Sequence, residues 1–284
     1  MKPAQFSYHA PKTIEEALAV LAKVAPEDGR VLAGGQSLVP TMAFRLARPR
    51  HLVDINGVVG LDKLAVEGGK LCVGARVRHA AFEKPVEPGA LGQFLTKVVQ
   101  HIAHHPIRTR GTMCGSLAHA DPASEWCAVA AALDAEMIAK SARGTRTIAA
   151  KDYFQGIMTT ALAEDELLAE VRLPLLSADT RAGFVEFNRR AGDFAFAMAV
   201  VAFQVKDGKI AAPPTAMRGA EASPRRIADA EQALAGKVAD AAAFQTAGEA
   251  AAKAVDPLED VSIPERYRRD LVRTMVVRAL SEAA

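Results

Sequence analysis

Cysteine is scarce in this chain of 284 residues: Cys72, Cys114 and Cys127 are the only three, and no two stand in Cys-x-x-Cys spacing. A disulfide framework is therefore not expected, nor an all-cysteine four-ligand iron–sulfur cluster held by this chain alone. Aromatic residues make up only 5 %, and the formal charge is +2, from 35 Lys and Arg against 33 Asp and Glu. Basic residues interleaved with aromatics, the footprint of a nucleic-acid surface, are missing. No apolar run reaches the length of a membrane span, and Met1 to Phe6 carries no signal-like stretch, so a cytoplasmic home without a membrane span is expected. Neither G-x-x-x-x-G-K-[ST] nor a clean G-x-G-x-x-G between strand and helix occurs, which disfavours nucleoside triphosphate chemistry and an ordinary dinucleotide fold.

Two glycine-bearing loops stand out against this background. The first is Ala33-Gly34-Gly35-Gln36-Ser37, followed by Leu38; the second is Gly111-Thr112-Met113-Cys114-Gly115-Ser116. Small residues let backbone approach a ligand closely, and consecutive peptide N–H groups in such turns form concave anion sites. Each loop adds a hydroxyl that can donate to phosphate oxygen. Two such loops suit a diphosphate, one on each side. With half its residues hydrophobic and 24 % charged, the chain is an ordinary globular protein, long enough for two domains.

Around the loops the pattern predicts mixed α and β structure. Thr13 and Glu16 form a capping-box signature before apolar residues at helical spacing, and Arg30 to Ala33 reads as a strand entering the first loop. A second helix is expected over Leu38 to Leu46 and a closing strand over His51 to Ile55. Leu64 to Gly74 reads as a hairpin turning at Gly68-Gly69. Helices are expected at Ala90 to Ala103 and Pro122 to Leu133, and strands at Ala135 to Ala139, Arg146 to Ala149 and Leu167 to Pro174. The polar stretch Ser177 to Arg181 reads as a boundary. Beyond it, Gly183 to Arg190, Ala195 to Lys206 and Thr215 to Gly219 suggest a small antiparallel sheet, with an alanine-rich helical remainder from Ile227.

Several polar clusters have competing readings. Arg108 and Arg110 flank the second loop and either offset phosphate charge or pair with acidic residues on a neighbouring chain. His119 to Glu125 invites a catalytic reading, but Pro122 after Asp121 suits a helix start with Asp121 as N-cap and Glu125 in the first turn. No nucleophile elbow is visible. His101, His104 and His105 are read as solvent- or subunit-facing rather than metal-binding, Cys114 as a small apolar filler, and Pro264 to Leu280 as a helix with a basic face over an apolar one.

Taken together, AGGQSLVP near residue 33, IRTRGTMCGSLAHADPASEW from 107, DELLAEVRLP from 165 and FVEFNRRAGDFAFA from 184 closely resemble the FAD-binding medium subunit of molybdenum hydroxylases of the carbon monoxide dehydrogenase and xanthine dehydrogenase type. The resemblance covers essentially the whole chain. It implies an α+β fold: a two-lobed PCMH-type FAD-binding domain over residues 1–177, with a small βαβ lobe (about 1–56) and a mainly antiparallel lobe with helices (57–177). A C-terminal domain of a three-stranded antiparallel sheet with helices follows over 178–284.

By the same resemblance FAD lies extended between the lobes. Ala33, Gly34, Gly35, Gln36, Ser37 and Leu38, with Gly111, Thr112, Cys114, Gly115 and Ser116, cradle its diphosphate. Ala120, Asp121 and Glu125 lie near the ribose, and Leu168 and Phe194 near the flavin ring. Cys114 stands where the family has a glycine, and a positive φ there would cost a cysteine about 1 kcal/mol. Glu125 lengthens the usual carboxylate, and Val185 to Phe187 lacks the lysine often found before Arg189-Arg190.

The implied activity is that of an oxidoreductase subunit without a catalytic residue or metal of its own. It takes electrons from two [2Fe–2S] clusters of a small subunit, while a large subunit holds the molybdenum cofactor. The electrons pass on to quinone, NAD or another acceptor, in an assembly expected to be a dimer of heterotrimers. Two alternatives remain open: a stand-alone FAD reductase related to UDP-N-acetylenolpyruvoylglucosamine reductase, and an assembly subunit that has lost its flavin.

Overall fold

The computed structural model describes residues 2–211, 215–218, 221–258 and 263–284, with residues 215–218 as backbone only. Three parallel strands open the chain: β1 (Ser7–His9), β2 (Gly29–Leu32) and β3 (His51–Asp54), in the order β1-β3-β2. Helix α1 (Ile14–Val24) connects β1 to β2 and buries Ala17, Leu21 and Val24. Its start is the expected capping box: the Thr13 side chain accepts from the Glu16 amide, and Glu16 reaches back to the Thr13 amide. Helix α2 (Leu38–Ala43) connects β2 to β3 through the first glycine loop and stops three residues before the expected Leu46.

The second lobe is antiparallel. Its strands β4 (Leu64–Glu67) and β5 (Lys70–Gly74) form the expected hairpin across Gly68-Gly69. Next come helices α3 (Ala90–Val99), α4 (His105–Arg108), α5 (Met113–His119) and α6 (Glu125–Ala132), then strands β6 (Glu136–Ser141) and β7 (Gly144–Ala149). Helix α7 (Ala150–Tyr153) leads into a small hairpin of β8 (Phe154–Gly156) and β9 (Thr159–Thr160), and β10 (Leu167–Pro174) returns to the centre of the sheet. The order is β4-β5-β10-β6-β7, with a β-bulge in β10 between Leu168 and Glu170. Helix α6 is buried from Trp126 to Ala132 on every side, as a helix without a polar face must be.

The last sheet contains β11 (Thr180–Phe187), β12 (Ala197–Lys206), β13 (Lys209–Ala211), β14 (Thr215–Arg218) and β15 (Arg225–Arg226). Three longer strands, β11-β12-β14, form its body; β13 and β15 are short additions. Gly219, the expected end of β14, lies outside the described residues. Strand β11 starts at Thr180, inside the polar stretch Ser177 to Arg181, which forms its exposed start. Helices α8 (Ala228–Leu234), α9 (Ala241–Ala254) and α10 (Glu265–Ala283) complete the chain. On α10, Leu271, Met275 and Leu280 are buried as expected, while Tyr267 is exposed.

The two-residue period of β12 links both parts of the molecule. Met198, Val200 and Ala202 belong to the core shared with α3, α6 and the first two lobes. Ala197, Ala199, Val201 and Phe203 face a second core under α8, α9 and α10. One strand thus carries apolar side chains on both faces and holds the C-terminal helices against the lobes that carry the glycine loops.

Candidate functional site

The glycine loops, eighty residues apart in sequence, touch. A Cβ on Gly34 would stand 2.3 Å from the Arg110 carbonyl oxygen and 2.6 Å from the Gly111 Cα, so this seat admits only glycine. Behind it, a Cβ on Gly111 would stand 2.6 Å from the His79 ring. Backbone of the first lobe, backbone of the second and an imidazole are stacked without space between them. The Gly115 Cα faces Ala33 on the same seam, where a Cβ would lie 3.7 Å from the Ala33 Cβ.

In the first loop Gly35 takes the left-handed conformation, φ 72°, which turns the chain from β2 into α2. The Gln36 side chain donates to the Gly34 carbonyl at 3.1 Å. Ser37 is exposed and its side chain makes no cap to α2. Backbone amides from Gly34 to Leu38 donate no hydrogen bond among the described residues. This is a row of available donors in a turn, the local requirement for an anion.

The second loop is held more firmly. Thr112 is buried and caps α5, accepting from the Gly115 amide at 3.0 Å. The Gly111 carbonyl accepts from the His79 amide at 2.9 Å. Ser116 shares a hydroxyl hydrogen bond with Ser124 at 2.8 Å. Cys114 sits in the first turn of α5 with no positive φ, so the strain expected of a cysteine there does not arise. Its thiol is buried and lies 3.5 Å from the Val73 carbonyl oxygen, to which it donates; burial pushes its pKa far up, consistent with the filler reading. The left-handed residue is instead Ala120, φ 52°, which ends α5.

Asp121 does not cap the following helix. Ser124 occupies that position, and Asp121 Oδ1 accepts from the Ala123 amide at 2.7 Å, closing a turn before the helix begins. The proline rule located the start three residues early because the Asp121 turn satisfies the amide that a cap would take. Glu125 does lie in the first turn. Leu168 is buried in the first core beside the β10 bulge, whereas Phe194 stands 73 % exposed on the loop between β11 and β12. The structure thus gathers the two loops in one seam and leaves Phe194 on the surface.

The flanking arginines divide their roles. Arg108 pairs with Glu83 at 2.7 Å and donates to the Ile102 and Ala103 carbonyls, a structural use that holds the Glu83 carboxyl below its usual range. Arg110 makes no ion pair among the described residues. His101 lies 3.3 Å from Glu186, His105 lies 3.0 Å from Glu83, and the His104 ring fills the place where a Gly192 Cβ would stand. The three histidines serve separate contacts.

Residues beyond the motifs complete the seam. His79 is buried and neutral, with burial and the nearby charges of Arg108 and Arg78 holding its pKa down to about 3. Its Nδ1 accepts from the Trp126 Nε1 at 2.9 Å, which puts the ring proton on Nε2. Arg78 donates to the Arg110 carbonyl and, at 2.6 Å, to Asn56 Oδ1. Burial, then the like charges of Arg110 and Arg76, lower the Arg78 pKa. The only sequence signal for these residues is a basic run, Arg76-Val77-Arg78-His79, shortly after β5.

Unpaired amides, a seat closed to any Cβ and two guanidinium groups (Arg78 and Arg110) fit a diphosphate lying along the seam. The chain matches two family profiles over nearly its full length: "FAD binding domain in molybdopterin dehydrogenase" over residues 4–176, and "CO dehydrogenase flavoprotein C-terminal domain" over 182–283.

The chain belongs to the FAD-binding medium subunits of molybdenum hydroxylases.

This medium subunit is 38 % identical over 286 aligned residues to the nicotine 6-hydroxylase medium subunit of Paenarthrobacter nicotinovorans, covering 100 % of the chain and 99 % of that relative. Among solved structures it superposes on a chain of carbon monoxide dehydrogenase from Hydrogenophaga pseudoflava with a TM-score of 0.95 and 34 % identity, covering 100 % and 98 % of the two chains. Quinoline 2-oxidoreductase from Pseudomonas putida 86 gives a TM-score of 0.92 and 36 % identity, again over 100 % and 98 %. The medium subunit is an oxidoreductase component with an FAD-binding domain. No described helix is long and apolar enough to cross a membrane.

Proposed function

We propose that this medium subunit holds FAD across the seam between its lobes and passes electrons from a partner's iron–sulfur clusters to an external acceptor. The contact between the two glycine loops carries the reading. It sets a row of unpaired amides from Gly34 to Leu38 beside the start of α5, with Thr112, Gly115 and Ser116 on the other side. Charge from Arg78 and Arg110 favours a dianion at this place. Glu125, in the first turn of α6, and Asp121, in the turn before it, are assigned to the ribose, Ala120 to the turn beside them, and Leu168 and Phe194 to the flavin ring.

FAD, when bound, supplies the conversion of electrons arriving singly into a transferred pair. The chain's own residues bind and orient. The C-terminal sheet, fixed to the lobes through β12, carries the loop with Phe194, the residue assigned to the flavin ring. The partners proposed are a small subunit with two [2Fe–2S] clusters and a large subunit with the molybdenum cofactor, assembled as a dimer of heterotrimers. Quinone, NAD or another carrier takes the electrons. Full-length correspondence to medium subunits favours this reading over a stand-alone reductase. The unstrained seat of Cys114 removes one ground for a flavin-free assembly subunit.

Titration of the apo-chain with FAD, followed by desalting, tests the proposal. Retained flavin absorbance near one FAD per chain is the expected result. A colourless chain after saturating FAD contradicts it, and purification without molybdenum and iron–sulfur chains contradicts the electron-transfer role.

A further inference from the structure

The glycine loops belong to different lobes, and nothing in their own sequences fixes the distance between them. A chain of hydrogen bonds spans the two lobes beside them. Asn56, in the one-turn 3₁₀ helix Ile55–Gly57 after β3, donates from Nδ2 to the Ala33 carbonyl at 2.8 Å and to Asp54 Oδ1 at 2.6 Å. Its own amide donates to the same carboxylate oxygen at 2.8 Å, which orients the side chain. Asn56 Oδ1 then accepts from Arg78 Nη2 at 2.6 Å, and Arg78 Nη1 donates to the Arg110 carbonyl. That carbonyl oxygen is the atom nearest to where a Gly34 Cβ would stand.

We propose that Asn56 and Arg78 are positioning residues: a clasp that holds the Ala33 and Arg110 carbonyls in register, so that the amides of both loops face one diphosphate before any ligand arrives. This rests on the FAD reading and goes beyond it by assigning the gap between the loops to two side chains outside both motifs. The orientation of the amide is decisive. Asn56 donates into one lobe and accepts from the other, so a residue offering only one of these functions breaks the chain. A lysine at position 78 keeps the charge but lacks the planar fork that reaches Asn56 and Arg110 together.

The experiment measures binding of FAD, ADP and riboflavin to the full-length apo-chain and to its Asn56→Ala, Arg78→Lys and doubly substituted variants. ADP carries the diphosphate without the flavin, and riboflavin the flavin without phosphate. The expected result is a loss of roughly 10- to 100-fold for FAD and ADP alike in each single variant. Riboflavin binding stays within twofold. The double variant stays within about threefold of the weaker single one, because both substitutions cut the same chain. Apo-state melting is recorded for each variant, and Arg78→Lys serves as the measurement where Asn56→Ala does not fold. Unchanged FAD and ADP affinity in the single variants, equal losses for riboflavin, or losses that multiply in the double variant overturn the clasp. A wild-type chain that takes up neither FAD nor ADP overturns the FAD reading, and the clasp with it.

Discussion

The two ends of the site are built by opposite means. At the diphosphate end, Gly34, Gly111 and the His79 ring stack with no room for a Cβ, and the donors are peptide amides. At the proposed ring end, Phe194 is 73 % exposed on a loop pinned by Asn188, whose side chain donates to the Asp193 carbonyl at 3.3 Å and to Glu186 at 2.9 Å. A backbone-built site tolerates almost no substitution at Gly34 and Gly111, because any added Cβ meets packed backbone or the His79 ring. A side-chain site on a loop tolerates many. On the proposed reading, the diphosphate end is therefore the rigid part of the site and the ring end the adaptable one.

The largest break in this contrast is expected from Gly34→Ala. The new methyl group meets the Arg110 carbonyl and Gly111 and has to part the loops. A stability loss of about 3 kcal/mol is expected by thermal melting, together with a loss of FAD affinity of roughly 100-fold in a fluorescence-quenching titration. Retained affinity would mean that loop contact does not matter for binding.

His79→Ala removes the support beneath Gly111 and leaves the Trp126 N–H without its acceptor. A cost of about 3 kcal/mol is expected. The same residue predicts a pH effect. Its folded pKa of about 3 lies below the unfolded value of 6.5, so between these values the unfolded chain binds more protons. The contribution is complete above pH 6.5 and is lost as pH falls toward 3, at up to about 1.4 kcal/mol per pH unit. Denaturant melts of wild type and His79→Gln across this window check the sign: the variant's acid slope is expected to be shallower.

Cys114→Gly reverses what the family pattern suggests. Residue 114 lies in the first turn of α5, so glycine there is expected to cost about 1 kcal/mol in a melt and to leave FAD affinity within twofold. Tighter FAD binding by this variant would restore the strain argument. The smallest effect is expected at the other end of the site. Phe194→Ala should leave apo-state melting unchanged and weaken FAD by about fivefold, the scale of one aromatic contact.

This division also explains what could be read without coordinates. Ala33 to Ser37 and Thr112 to Ser116 were legible because a site made of backbone needs small residues, and small residues in runs are visible in sequence. The capping box at Thr13, the hairpin at Gly68-Gly69 and the β11–β12 pair were legible because each is set by residues close together in sequence. Asn56, Arg78 and His79 were not, because their roles depend on contacts 23, 32 and 47 positions away in the chain. Asp121 was misassigned because a side chain closing a turn and one capping a helix follow the same local rule. Only the hydrogen-bond partner separates them.

The most direct measurement is a crystal structure of the chain, in its native complex, with FAD bound. Diphosphate oxygens within about 3 Å of amides from both Gly34–Leu38 and the start of α5 are expected. A diphosphate resting on one loop alone, or bound away from the Gly34–Gly111 contact, would contradict the two-sided cradle.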